Sequence, residues 1–231
     1  MRGRSPDGRL HRIARKPDPW AWPDWANAAE DGTFGNRWDD PSSIYRVLYA
    51  ASDRLGAFIE VLARFRPDPH VTHGLSQIVG DESSGLPPGS VPASWLDRRV
   101  VGESDIAGDF ADVGASESLA AIRRDLASRL IHYEIPDVDG SAIRLKAPRR
   151  LTQEISRYVY ELTKQDGRRA FSGITYLSRL GDEFRNWAVF EPSIEAEALA
   201  VAANPAISAI PTEDPDLQRA LTAHGLTLVW S

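Results

Sequence analysis

Four kinds of side chain able to handle a nucleotide fall in two short segments of this 231-residue chain. The first, FGNRWDDPSSIYRVLYAASDRLGAFIE, carries Arg37, Tyr49 and Glu60, and the second, GITYLSRLGDEFRNWAVF, carries Ser178 and Asn186. A planar guanidinium grips phosphate oxygens through paired, charge-assisted hydrogen bonds. An aromatic ring stacks on a flat base, a carboxylate stabilises a sugar on which positive charge develops, and a hydroxyl or amide orients the ligand. That combination points to a nucleotide.

Each residue also has an ordinary use. Glu60 lies about 140° around the helical wheel from Leu55, at about 100° per residue, so it is off the apolar stripe and reads by default as a solvated glutamate. Against that, its helical neighbours Gly56, Ala57 and Ala63 are small and leave the carboxylate accessible. Arg37 sits in GNRWDD, a loop, where it can grip phosphate, stack on Trp38 or pair with Asp39 or Asp40. Tyr49 ends a strand, either as a packed tyrosine or as a stacking platform. Ser178 lacks the GxSxG setting of a hydrolase nucleophile and has no histidine near it, so it reads as a hydrogen-bonding hydroxyl.

The elements that must position these groups follow from local pattern. Residues 17–40, rich in proline and tryptophan, predict an irregular stretch stapled by Trp20, Trp22 and Trp25. SIYRVLYA, residues 43–50, predicts a strand. Ser52 then offers a helix cap, and Leu55, Ile59 and Leu62 recur at helical spacing to about Phe65, before Pro67. Residues 66–115 are turn-rich, with a short strand near 99–101. Leu119, Ile122, Leu126 and Leu130 predict one amphipathic helix from Ser116 that stops before Pro136. A third helix follows Thr152 and ends at Gly167. GITYLS and NWAVFE predict two strands joined by a polar loop, with Ser178 and Asn186 at its two ends. A strand at 197–203, a helix opened by Asp214 and Pro215 and stopped by Gly225, and a final strand LTLVW complete the chain. The expectation is a single α+β domain over residues 1–231, a mixed sheet with peripheral helices.

Composition narrows the partners. A net charge of −6 disfavours a polyanion, and the basic opening MRGRSPDGRLHRIARK reads as a solvated terminus. Without cysteine there are no disulfides, thiolate nucleophiles or zinc–thiolate sites. Among five histidines only His70 and His73 form a close pair, in a proline-flanked stretch that argues against a metal site. No apolar leader and no membrane-length apolar run is present, so the expected location is the cytoplasm.

In order and context these segments resemble the RES domain family, named for an arginine, a glutamate and a serine. The family's G-R-W-N loop, valine–tyrosine strand, A-x-x-E helix, Y-x-S strand and closing hydrophobic strand correspond to GNRWDD, VLYAAS, AFIE, ITYLSRL and NWAVFE, roughly within residues 10–191. Asn36 and Asp39 stand where the family has glycine and asparagine, and the stretch between Glu60 and Ser178 is unusually long. The resemblance implies a fold similar to ADP-ribosyltransferases and a toxin-type enzyme that destroys NAD+ by hydrolysis or phosphorolysis of the nicotinamide–ribose bond. It further implies neutralisation by a helix-turn-helix antitoxin, no cofactor or metal, NAD+ as substrate and inorganic phosphate as a co-substrate option. Homodimerisation stays open, and neither nucleic acid nor membrane is an expected partner. By the same resemblance Glu60, Arg37, Tyr49 and Ser178 are catalytic, and Arg37, Tyr49, Ser178 and Asn186 hold the substrate. The alternatives are ADP-ribose transfer to a macromolecule and a non-catalytic interaction module on the same fold.

Overall fold

The computed structural model describes residues 1–68, 86–135, 137–145, 148–192 and 202–230. Among these residues ten strands run β1 (Gly3–Arg4), β2 (Leu10–Arg15), β3 (Val47–Ala51), β4 (Ser90–Pro92), β5 (Arg99–Ile106), β6 (Phe110–Asp112), β7 (Gly173–Ser178), β8 (Gly181–Phe190), β9 (Ala202–Ser208) and β10 (Thr227–Val229). The α-helices are α1 (Arg54–Leu62), α2 (Ser94–Asp97), α3 (Ser116–Asp125), α4 (Ala127–His132), α5 (Gly140–Arg144), α6 (Arg149–Glu161) and α7 (Pro215–His224). Eight strands form one sheet in the order β1-β6-β7-β8-β3-β2-β5-β9, and β4 and β10 pair separately in parallel. The sheet is mixed: β6 and β7 run parallel and its other neighbours antiparallel. This is the expected α+β architecture.

Side-chain alternation along β3 distributes the core, since successive residues of a strand face opposite ways. Leu48 and Ala50 pack with Trp20, Phe110 and Trp187 on one face. On the other, Val47 and Tyr49 meet a core supplied by α3 to α6, while Ala51 belongs to a second core built from α1, α2 and α7. Two helical layers therefore sit side by side on one face, and β3 runs under both.

The sheet is nearly cut in two at the boundary between those layers. Strands β2 and β5 pair at six positions and β3 and β8 at five, but β2 and β3 share only the pair His11–Ala51. A continued ladder would match Arg12 with Ala50 and Ile13 with Tyr49. Instead the strands part, and the freed peptide groups need water or a ligand.

Several sequence expectations need correction. Strand β3 starts at Val47 rather than residue 43, because Ser43 takes a left-handed φ of 57° and Tyr45 turns into the core as a loop residue. Asp53, not Ser52, caps α1, accepting from the Gly56 amide at 2.6 Å. The strand expected at 99–101 runs on to Ile106. The single helix expected from Ser116 breaks at Leu126 (φ −101°, ψ 6°) into α3 and α4. Helix α6 begins at Arg149 and ends before Leu162, so Gly167 closes a later turn. The supposed polar loop between GITYLS and NWAVFE is mostly strand: β8 starts at Gly181 and carries Asn186 in its interior. Strand β9 begins at Ala202; residues 193–201 of the stretch around the expected strand at 197–203, like His70 and His73, lie outside the described residues. The Asp214–Pro215 cap and the left-handed Gly225 stop of α7 are as expected. Of the tryptophans, Trp20 packs in the core and Trp22, partly buried, against it, whereas Trp25 is more exposed, against Phe34 and Arg46.

Candidate active site

Register brings the site together. Across the sheet Tyr176 of β7 pairs with Asn186 of β8, Asn186 with Ala51 of β3, and Ala51 with His11 of β2, which puts all four side chains in one row on the same face. Period two along β7 adds Ser178 to that face. Helix α1 lies above the row, and Glu60 comes down from it onto Asn186 and Ser178.

The carboxylate of Glu60 is held through one oxygen. Oε1 accepts from the Ser178 hydroxyl at 2.6 Å and from the Asn186 side-chain amide at 2.7 Å. Ser178 Oγ in turn accepts from the Leu180 backbone N–H at 2.9 Å, which fixes its proton toward Glu60. Both supports are buried, while Glu60 itself is only partly covered. Among the described residues, Oε2 has no hydrogen-bond partner.

Glu60 opens onto two adjoining cavities that form one cleft. The larger, about 310 Å³, occupies the seam between β2 and β3 and is walled by Arg12, Tyr49, Ala57, Glu60, Tyr176 and Asn186 among others. The smaller, about 220 Å³, is lined by Asn36, Arg37, Tyr49, Glu60, Leu145, Arg149, Tyr176 and Arg179. Glu60, Tyr49, Tyr176 and Asn36 border both. The larger cavity alone has the volume of a small-molecule site.

Arg37 is a wall residue of the smaller cavity. Its Nη2 donates to the Ile143 carbonyl and, at 3.4 Å, to that of Leu145, and its guanidinium lies 5.5 Å from the Tyr176 ring and 5.7 Å from the Trp38 ring. Burial lowers its pKa; Tyr176 and Glu60 act the other way, and Arg179 and Arg149 lower it further. Three guanidiniums thus surround a cavity that contains one carboxylate.

Tyr49 is fixed at both ends. Its hydroxyl accepts from the Trp38 backbone N–H at 2.9 Å and donates to Asp39 at 3.1 Å, and Asp39 also takes the Phe34 and Asn36 amides at 3.0 and 2.7 Å. The loop carrying Arg37 is therefore pinned to β3 by a buried aspartate at the position where the family has asparagine. Burial first, then Asp39, pushes the Tyr49 phenol well above its usual range; burial and Glu60 raise that of Tyr176, which Arg37 partly opposes. Both phenols stay protonated.

The five residues singled out from the sequence thus converge, with one distinction. Glu60, Arg37, Tyr49 and Asn186 line the cleft, whereas Ser178 lies behind Glu60 and lines neither cavity. Sequence reasoning assigned no part to Tyr176, Arg149 or Arg179. Tyr176 was findable, because it stands two residues before Ser178 on the same strand face. The arginines carried no such signal. Arg46, another arginine flanking the first segment, is tied to Glu191 and the Pro23 carbonyl and does not line the cleft.

A mixed sheet parted at a seam, with a carboxylate set between cationic and aromatic walls, defines an α+β domain with a cleft suited to an anionic, partly flat ligand. The chain belongs to the RES domain family, whose model matches residues 9–211, further than the motifs themselves reach. Its fold is similar to that in the crystal structure of the M. tuberculosis MbcT–MbcA toxin–antitoxin complex, with a TM-score of 0.53 and 11% identity over 95% of this chain and 91% of that one. No curated protein matches it. Among the described residues no group of three or more histidine, aspartate or glutamate side chains could hold a metal ion, and no helix is long and apolar enough to cross a membrane.

Proposed function

We propose that this protein consumes NAD+ by cleaving the bond between nicotinamide and ribose, as the toxin of a toxin–antitoxin pair whose partner is a helix-turn-helix antitoxin. The observation that carries the reading is Glu60: one carboxylate oxygen is anchored by Ser178 and Asn186, and the other, with no partner among the described residues, faces a cleft walled by Tyr49, Tyr176 and arginines. When the C1′–N bond breaks, its electron pair leaves with nicotinamide, and positive charge spreads over C1′ and the ring oxygen of the ribose. A fixed carboxylate beside that sugar stabilises the charge as it forms and needs no reorganisation to do so. Tyr49 and Tyr176 supply flat surfaces for the base or sugar, and Asn186 both holds Glu60 and borders the substrate. Ser178 acts through Glu60. Membership of the RES family and the fold shared with a toxin of known antitoxin support the biological role.

The acceptor oxygen then bonds to C1′, giving ADP-ribose and a proton from water, or ADP-ribose 1-phosphate from inorganic phosphate. The charge of the smaller cavity supports phosphate, because Arg37, Arg149 and Arg179 surround it and Arg37 has N–H groups beyond those given to Ile143 and Leu145. Incubation with NAD+ labelled in the ADP-ribose half, with and without phosphate, tests the scheme. Nicotinamide release with soluble labelled product is expected, faster in phosphate. Label on protein or nucleic acid would indicate transfer, and no release at all would refute the reaction.

A further inference from the structure

Away from the cleft, Arg15 and Arg99 stand directly opposite each other at the end of the β2–β5 ladder, where two like charges repel. Period two from Ile13 and Val101 puts both on the sheet face covered by α1, α2 and α7. Arg64, in the turn after α1, and Arg98, just past α2, join them. Aromatic rings fix the group. The Arg99 guanidinium lies 4.2 Å from the centroid of the Trp95 ring and donates to the Trp95 carbonyl at 3.2 Å. Phe65 meets Trp95 at an interplanar angle of 84°, and Arg64 lies 5.7 Å from the Phe65 ring. Burial, then Arg15, Arg64 and Arg98, lower the pKa of Arg99 to about 10, and no carboxylate is among the charges acting on it. Among the described residues none of these four arginines has an ion-pair partner, in a chain whose net charge is −6.

We propose that Arg15, Arg64, Arg98 and Arg99 form a docking surface for a short acidic segment of a partner protein. None of them lines the cleft, and Arg15, Arg64 and Arg98 are exposed, so the ligand meets them as a chain laid across a surface rather than as a molecule in a cavity. Each guanidinium can take a carboxylate through two parallel N–H bonds, and the four come from two strand ends and two helix ends, so one segment can engage several. Stacking holds Arg99 and Arg64 in place beforehand, which lowers the entropy lost on binding. Carboxylates from another chain also relieve the repulsion between Arg15 and Arg99. Nucleic acid fits this surface less well. Trp95 is buried beneath Arg99, Phe65 packs against it, and both rings serve the arginines rather than a base, while the charge of the whole chain opposes a long polyanion.

Fluorescence anisotropy of labelled hexaglutamate on the full chain at low salt, with hexaglutamine as the neutral control, tests the surface. The wild type should bind hexaglutamate and not hexaglutamine, with an affinity that falls as salt rises. The double variant Arg64→Gln/Arg98→Gln removes two exposed, unpaired charges and should bind at least about tenfold more weakly. The variant Arg149→Gln/Arg179→Gln, altered in the cleft, should bind as the wild type does; the reverse pattern would put the peptide in the cleft and overturn the proposal. Arg15→Glu separates docking from folding. It turns the pair with Arg99 into one of opposite charge, so the free protein should melt at the same temperature or higher while binding of hexaglutamate is lost. Should Arg15→Glu fold poorly, the Arg64/Arg98 variant decides alone. Wild-type affinity in that variant overturns the proposal, as does a wild type that takes up no hexaglutamate at millimolar concentration. Displacement of the peptide by inorganic phosphate or a DNA oligonucleotide at lower concentration than by unlabelled hexaglutamate would make this a phosphate site instead, and a wild-type dimer that Arg15→Glu dissociates in sedimentation would assign it to a second copy of the chain; either result overturns the acidic segment.

Discussion

Replacing Glu60 by glutamine separates the charge of this carboxylate from its packing. The side-chain amide oxygen of glutamine can take the place of Oε1 and keep both supports, the Ser178 hydroxyl at 2.6 Å and the Asn186 amide at 2.7 Å in the wild type. The amide nitrogen then faces the cleft where Oε2 did, with no described partner to clash with. Stability should therefore move little: two hydrogen bonds weaken from charge-assisted to neutral, about 1 kcal/mol each at most, while a partly buried charge no longer has to be desolvated. The melting temperature should stay within a few degrees, since about 1 kcal/mol corresponds to roughly 2–4 °C in a domain of this size. Chemistry should change far more. A full negative charge about 4 Å from a cationic sugar contributes on the order of 4 kcal/mol at an effective dielectric constant near 20. Discounted for the partial charge of the transition state, about 3–4 kcal/mol corresponds to a loss of roughly a hundred- to a thousandfold in turnover. Chromatographic measurement of nicotinamide release at saturating NAD+, with a thermal melt of the same preparation, reads both effects. A folded Gln variant with wild-type turnover would refute the charge argument, and one that is inactive only because it melts early would make Glu60 structural.

Three further outcomes follow from the same geometry. Activity should survive exhaustive chelation, because Glu60 supplies the charge stabilisation; loss with EDTA that one divalent ion restores would contradict this and direct attention to His70 and His73. Arg37→Lys should raise the phosphate concentration needed to stimulate turnover by at least about tenfold, since lysine keeps the charge but can neither reproduce the planar fork nor stack between Trp38 and Tyr176 while tying Ile143 and Leu145; an unaltered phosphate dependence would remove Arg37 from the acceptor site. Burial holds the His11 imidazole below its ordinary 6.5, against the opposing pull of Glu103, so the unfolded chain takes up this proton first as pH falls. His11 therefore contributes stability above pH 6.5 that is lost on acidification down through its folded pKa, and His11→Asn should flatten that part of a melting-temperature profile; an unchanged slope would refute it.

What the sequence made legible follows the range of the interactions involved. The caps of α7 could be read because Asp214, Pro215 and Gly225 act within one helical turn. The first turn of α1 was placed to within one residue for the same reason. The extent of β8 could not be read: GDEFR looks like a loop, yet it pairs with β7 through a turn of two residues, Arg179 and Leu180. Pairing across strands overrides local polarity when one sheet face is open to solvent. The bonds from Glu60 to Ser178 and Asn186 span 118 and 126 residues, so no local pattern announces them, and only the family's ordered motifs brought the three together in advance.

Arg12 marks the limit of that kind of reading. In HRIAR, alternation gives each residue a face but cannot say whether a neighbouring strand will cover it. Its significance comes from hydrogen bonds that are not made: the β2–β3 ladder stops after His11–Ala51, and beside the larger cavity the Nη1 of this partly buried side chain has no hydrogen-bond partner among the described residues. A continuous ladder would bring Arg12 beside Ala50 and Ile13 beside Tyr49, closing the cavity between Glu60 and β2. On this argument the cleft is a consequence of incomplete pairing in the sheet, and ligand binding should stabilise the fold most along β2 and β3. Hydrogen exchange with and without ADP examines this directly: protection should rise at Arg12, Ile13, Tyr49 and Ala50, and a rise confined to residues 143–145 would place the anion at Arg37 instead.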